Sequence, residues 1–541
     1  MITKIFPFIT WFRGYNLDSF KIDFIAGITV ALVLIPQSMA YAQLAGMPSY
    51  YGLYAAFLPP MLASLFGSSR QLATGPVAVV SLMTAASLEP LATAGSEGYI
   101  AYAILLALMV GVFQLSLGIL RLGIVVNFLS HPVVNGFTNA AAIIIASSQL
   151  SSMFGVSVDS SEHHYETIVN VCKAAAHYTH WTTFVLGLFS FAVMYLLKKF
   201  YPKIPNVLVA VAISILISWG IGFEHNISSP ISAIQSDEVR ADIETFNRLT
   251  SELTPLADQR QKSGITMDEA KKVHDPIGVL DSEHELQVIG IKMNKIKHET
   301  GIYRKKLRDV FFTGIVKDDG KLDFYLKGQE PDNLKNDGRT WRIKVGNRPI
   351  DTAKVTMIGG GAVVGSIPKG IPSLGIPKID MKVVIKLFPF AAIISLLGFM
   401  EAISIAKAMA AKTGQRLDPN QELIGQGVAN ILGAIGKSYP TSGSFSRSAV
   451  NLQAGAVTGL SSVFTSFVVV ITMLFLTPLL YHLPQSVLAS VIMMAVIGLI
   501  NVSGFVHAWR AQWYDGAISV ITFIATLAFA PHLDKGIMVG V

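Results

Sequence analysis

Residues 74–81 read TGPVAVVS, and residues 441–448 read TSGSFSRS. Each follows a polar loop, GSSR at 67–70 and GKSYP at 436–440, and each opens a short apolar stretch, 76–88 and 443–456. Gly75-Pro76 and Ser442-Gly443 interrupt a helix just before its apolar run. Each interruption therefore leaves a helix N-terminus at membrane depth, with unbonded N–H groups and roughly half a positive charge. Two such ends facing one another form an anion site without any charged side chain. Pro76 suits a first helical turn, where its missing N–H costs nothing. Ala78, Ser444 and Ser446 are small enough to leave room for a ligand, and the serines donate hydrogen bonds.

The surroundings of both motifs are apolar. The chain is 52% hydrophobic and 14% charged over 541 residues, against about 25% charged in soluble domains. Mean hydropathy is +0.52. Stretches long enough to cross a bilayer fall near 24–46, 51–67, 101–120, 133–150, 182–198, 204–222, 385–408, 422–436, 459–480, 485–501 and 510–531. With the two short stretches and a last one starting near Lys535, fourteen segments result, seven on each side of a polar insert. The chain stops inside the last segment, which reads as a fragment. The fold class is thus an all-α polytopic membrane protein with an inserted mixed α/β domain. Domains are expected at 1–224 (first transmembrane repeat), 225–358 (insert) and 359–541 (Gly/Pro linker and second repeat). The halves place their motifs alike, and an odd number of spans per half gives opposite topologies. Inverted repeats with interrupted helices at matching positions point to a transporter's binding site.

Between Glu224 and Arg348 lie 21 of the 42 Lys and Arg and 21 of the 35 Asp and Glu. The insert is therefore net neutral, and the +7 belongs to the apolar remainder. Residues 234–312 are rich in helix formers and read as a helical pair. Residues 313–350, with turns at Asp319-Gly320 and Asp337-Gly338, read as strands. The linker 359–378 is Gly- and Pro-rich and extended. Basic residues outside the insert, among them Arg13, Lys21, Arg70, Arg121, Lys198, Lys199, Lys203, Lys412, Arg416 and Arg510, sit in short loops beside the apolar runs. That pattern fits topology rather than nucleic acid. It places the N-terminus in the cytoplasm and the insert on the other side. The location is an inner or plasma membrane of a bacterium, with the lipid bilayer as a partner and no nucleic acid.

Four further residues stand out. Arg447 costs on the order of 2.5–3.5 kcal/mol at mid-membrane. It should face a cavity and add positive potential, unless it snorkels or pairs with an acid. Glu401, inside LLGFMEAISIA, suits a proton carrier, or else forms a structural pair with Arg447. Gln37 and Tyr41 share one face of the first span, after the kinking Pro36. They read as cavity-lining donors, or as interhelical glue, the role also expected of Asn139 and Asn430. The lone Cys172 excludes a disulfide framework within the chain. No HExxH spacing occurs, and GAIGKS at 433–438 is not a P-loop. No cofactor, metal or ATP-driven chemistry is encoded, and no enzyme is expected.

The stretches PQSMAYAQLAG (36–46), YGLYAAFLPP (51–60), GSSRQLATGPVAVVSL (67–82), VGSIPKGIP (364–372) and TSGSFSRSAVN (441–451) together resemble the sulfate permease (SulP) family of anion transporters. The resemblance covers residues 20–541 and is interrupted by the insert. It implies seven plus seven inverted segments, with a core domain moving against a gate domain in an elevator-like cycle. The implied substrate site involves the backbone of Val77, Ala78 and Val79 and, opposite, Ser444, Phe445 and Ser446. The resemblance also places the family's polar pair at Gln37 and Tyr41, its basic residue at Arg447 and its cation-coupling acid at Glu401. It implies a homodimer. This chain departs from the family pattern in its insert and in lacking a STAS domain after the last span. The expected activity is secondary transport of sulfate or a related oxyanion by proton symport. The alternatives are bicarbonate or chloride transport on the same scaffold, nucleobase transport, and a receptor whose working part is the insert.

Overall fold

The computed structural model describes residues 6–540, apart from 13, 90, 93, 124–130, 160, 162, 202–203, 318–319, 332–335 and 531. Asp319 of one expected turn, and Arg13 and Lys203 of the loop-charge pattern, lie outside the described residues. The chain forms two compact units. The first comprises Met1–Val156, Ser160–Ile221 and Ala362–Val541, and the second Ser157–Asp159 with Gly222–Gly361.

The first unit is helical. Seven of its described helices are long and apolar enough to cross a membrane, among them Leu17–Leu44, Glu97–Ile119 and Trp181–Phe200. Shorter apolar helices include Ala78–Leu88, Asn206–Gly220 and Trp513–Phe529. The Leu17–Leu44 helix shows how local chemistry sets its bounds. The Asn16 side chain caps its start by accepting the Ser19 N–H at 2.8 Å. Its end turns at Gly46, whose φ of +73° suits glycine. Pro36 sits inside this helix without ending it.

Helices meet through small residues, as expected where lipid offers no hydrophobic incentive to pack. A Cβ on Gly52 would stand 2.0 Å from the Ser38 carbonyl oxygen. One on Gly111 would stand 2.8 Å from that of Gly427. The Glu97–Ile119 and Pro419–Ile435 helices are thus in near backbone contact.

Several expected spans are not single α-helices, two of them because of proline. The 51–67 stretch breaks into Tyr50–Ala55 and Leu58–Phe66. Pro59 and Pro60 lack N–H groups, so they are tolerated only in a first turn. The 459–480 stretch is α-helical to Ile471, then forms a π turn at Thr472–Leu476 ahead of Pro478. Pro478 cannot donate to the preceding turn, and the widened turn absorbs that loss. Two helices had no counterpart in the sequence reading: His164–Tyr178 and Val502–Ala511.

The second unit pairs two long helices, Asp237–Lys272 and Pro276–Asp309, with a five-stranded antiparallel sheet. The strand order is Asn226–Ser229, Val355–Ile358, Asn336–Ile343, Phe312–Val316, Leu322–Leu326. Its core holds Phe246, Phe312, Phe324, Trp341 and Met357, all fully buried. The Trp341 indole N–H donates to Asp337 at 2.8 Å, which satisfies its one polar group. Arg304 and Arg308 each donate to the Asp159 carboxylate, at 2.9 and 2.8 Å.

Candidate functional site

The two motifs that open the short helices meet. Ala73–Gly75 pairs antiparallel with Ser442–Ser444, with Ala73 opposite Ser444, Thr74 opposite Gly443 and Gly75 opposite Ser442. Each three-residue strand runs straight into a helix, Ala78–Leu88 in one case and Phe445–Gln453 in the other. The antiparallel register sends the two helices away from a shared point. Their N-termini therefore flank one place in the unit. Val77 stands at the first N-cap with extended backbone and no side-chain cap. The first amides of that helix, from Ala78 through Val80, stay without an intrahelical partner. Ser444 caps the second helix, its Oγ accepting the Arg447 N–H at 3.5 Å and lying 3.3 Å from Ser446 Oγ.

Val77, Ala78 and Val79 are buried, as is Ser444, whereas Phe445 and Ser446 are exposed. The mouth thus has one closed wall and one open wall. Gln37 and Tyr41, one turn apart on the Leu17–Leu44 helix, are both buried. Arg447 is fully buried at 0% exposure. Its Nη1 donates to Gln37 Oε1 at 2.9 Å, so Gln37 serves Arg447 as an acceptor. Arg447 is the third residue of its helix, and its side chain passes back beneath the strand pair. The Nη2 would stand 3.3 Å from a Cβ placed on Gly75. Among the described residues, its Nε and Nη2 have no hydrogen-bond partner. Glu401 is half-buried and feels the Arg447 charge. Among the described residues, however, no ion pair within 4.0 Å joins the two. Tyr439, fully buried, takes a 3.5 Å hydrogen bond from Ser81 and lies within the electrostatic reach of Arg447.

Behind the strands lies a polar scaffold, of which the sequence reading names Asn430 alone. Asn430 Oδ1 accepts from the Thr441 N–H and Oγ1 at 2.9 and 3.1 Å. Its Nδ2 donates to Gln114 Oε1 and to the Thr441 carbonyl. Gln426, one turn earlier, donates to Thr74 Oγ1 at 2.8 Å. Ser442 Oγ donates to the Gly398 carbonyl at 2.6 Å, and Ser448 Oγ accepts the Ala73 N–H at 2.9 Å. Asn430 therefore acts as glue between segments, as does Asn139, which accepts the Asn501 N–H at 2.8 Å. The available signal was the i, i+4 spacing of Gln426 and Asn430 inside an apolar span. Glu422 completes the scaffold. It is buried and accepts the Ser68 and Ser69 N–H groups at 2.9 and 3.0 Å. Among the described residues, no cluster of His, Cys, Asp and Glu could hold a metal ion.

The sulfate permease family profile matches residues 20–265 and 350–522. The chain belongs to the sulfate permease family. Both motifs and every site residue named above fall within the matched stretches. Among curated family relatives, the probable sulfate transporter 4.2 of Arabidopsis thaliana is 33% identical over 541 residues, covering 100% of this chain and 61% of the relative. The sodium-independent sulfate anion transporter of Bos taurus is 29% identical, covering 99% of this chain and 71% of the relative. The chain spans about three fifths of the length of the first relatives it matches, 61% and 60%. In fold it is similar to the murine Slc26a9 anion transporter, with a TM-score of 0.68 at 20% identity, covering 100% and 70% of the two chains. It is also similar to the transmembrane domain of the cyanobacterial bicarbonate transporter BicA, with a TM-score of 0.61 at 17% identity, covering 97% and 98%. This sulfate permease-family protein is therefore an integral membrane protein, mostly helical, with the fold of those transmembrane domains.

Proposed function

We propose that this protein moves sulfate or a related small oxyanion across the membrane as a secondary transporter. The observation that carries the reading is the strand pairing that holds two helix N-termini at one point, backed by a buried Arg447. Free amides supply directed donors, and the guanidinium supplies charge from behind. Together they favour an anion over a neutral solute. The ligand's contacts are the amides at Val77, Ala78 and Val79 and those at Ser444, Phe445 and Ser446. Ser444 and Ser446 add hydroxyl donors, and Gln37 and Tyr41 line the same space. A nucleobase would need carboxylate or amide groups facing it, and the Gln37 Oε1 is engaged by Arg447. The names of the sulfate-transporting relatives support the choice of oxyanion.

The segments form two inverted repeats of seven. The antiparallel meeting of the two motifs supports that symmetry. The repeats build a core that carries the site past a gate, as in an elevator cycle. Glu401 takes up and releases the symported proton close to Arg447, so that charge balance couples proton and anion. The N-terminus is cytoplasmic, the insert lies outside, and the protein works as a homodimer.

The test is uptake of labelled sulfate, bicarbonate and chloride into proteoliposomes, with and without an inward proton gradient. Sulfate uptake raised by the gradient is expected. Bicarbonate or chloride flux without sulfate flux would move the protein to the alternative substrate class. No flux of any anion by folded protein would favour the receptor reading.

A further inference from the structure

A polar cavity of about 560 Å³ lies in the first unit, and its lining includes none of the residues assigned to the half-helix site. Its walls are the Gly67–Gln71 and Thr413–Asp418 loops, one from each half of the chain, with the turn at Pro7–Trp11 on one side. The two loops are bonded into one floor. The Gln415 amide accepts the Arg70 N–H at 3.2 Å and donates to the Ser68 carbonyl at 2.5 Å. Ser68 Oγ bonds to the Asp418 carbonyl at 3.2 Å, and Gln421 donates to the Phe66 carbonyl at 2.6 Å. Buried Glu422 anchors the same floor from below through Ser68 and Ser69.

On this floor stand Arg70 and Arg416, both exposed and both lining the cavity. Among the described residues, neither guanidinium has a carboxylate within 4.0 Å. Asp418, the acidic residue in the lining, is committed to capping the next helix through the Asn420 N–H at 2.9 Å. Two guanidiniums without a carboxylate partner, on a fixed backbone, match an oxyanion with several acceptor oxygens. The volume exceeds what a bare tetraoxyanion fills and suits a phosphorylated molecule. The adjoining turn exposes Phe6, Ile9 and Phe12, side chains suited to a membrane interface.

We propose that this cavity is a second anion site, separate from the transport site, which binds a phosphoryl group. The group belongs either to an anionic lipid headgroup or to a soluble phosphate monoester. The test uses the full chain in nanodiscs, with binding of radiolabelled inorganic phosphate counted per chain. The R70Q/R416Q double variant should bind one phosphate fewer than wild type, with KM for sulfate uptake unchanged. Arg447→Gln should retain that phosphate even where transport is lost, so the two sites fail independently. Adding phosphatidic acid to the nanodisc identifies the source. If it displaces the extra phosphate from wild type, a headgroup fills the cavity. If it does not, a soluble phosphate does. Equal phosphate counts in wild type and the double variant would overturn the proposal.

Discussion

A guanidinium cut off from water keeps its charge only where nearby dipoles replace the lost solvent. Arg447 has one such partner, Gln37, and two nitrogens without one. The charge is therefore held in reserve for something negative close by. Arg447→Gln should lower sulfate uptake by at least tenfold, a loss of about 1.4 kcal/mol or more in transition-state or binding free energy, while the protein still folds. Unchanged uptake would remove Arg447 from the site. Gly75 offers an independent probe. Its φ of +146° is a region that side chains avoid, and a Cβ there would press on the Arg447 guanidinium. Gly75→Ala should destabilise the protein by about 1–3 kcal/mol, read as a lower melting temperature, and should weaken sulfate binding in parallel. Glu401→Gln should leave sulfate exchange intact but indifferent to a pH gradient. Persistent proton-driven uptake would sink the coupling role.

Among the elements, the half-helices were legible because Gly, Pro and Ser interrupt apolar runs at matching places. The strand pairing that joins them was not. Three-residue strands carry no alternation, and the partners lie far apart in the chain. Nor was the direction of Arg447 legible, because spacing places a residue on a helix but not beneath a neighbouring strand. The scaffold residues Gln426 and Asn430 were obscured for another reason. An amide in an apolar span reads as glue whatever it holds. What Asn430 holds is Thr441, the entry to the second strand. Asn430→Leu leaves the Thr441 N–H buried and unpaired, at a cost of about 1–3 kcal/mol. It should also raise KM for the anion by loosening the strand register. Asn430→Asp, which keeps the acceptor, should recover part of the affinity. Equal loss in both variants would reduce Asn430 to a packing role. The His164–Tyr178 and Val502–Ala511 helices escaped the sequence reading because their polar faces dilute any hydropathy signal.

At the scale of the whole molecule, the second unit has its own core and its own ion pairs, so its stability follows its own rules. Lys306 bridges Glu238 and Asp242 at 2.8 Å each. The hydrogen bonds that Lys306 donates to Asp242 and Glu238 push its ammonium up, and the one accepted from Lys306 holds the Glu238 carboxyl below its ordinary value. A lowered carboxylate stabilises the folded state above its ordinary titration range and loses that effect as pH falls through the folded value. The raised lysine acts below its ordinary range and loses its effect on the alkaline side. Lys306→Met should therefore speed amide exchange around Glu238 at neutral pH and make less difference at an acid pH well below the ordinary carboxylate range of about 4. An effect equal at both pH values would mean that the side chain only packs. Deleting 230–350 should leave sulfate flux measurable. Lost flux from a folded protein would instead give the insert a part in transport.

The central claim is that one anion sits between the two half-helix ends. Selenate, a sulfate analogue with a strong anomalous signal, locates it directly by diffraction from crystals of this chain. The account predicts an anomalous peak within hydrogen-bonding distance of the amides at Val77–Val79 and at Ser444–Ser446, weakened in Arg447→Gln crystals. A peak at the Arg70 and Arg416 cavity alone, or none at the half-helices, would contradict it.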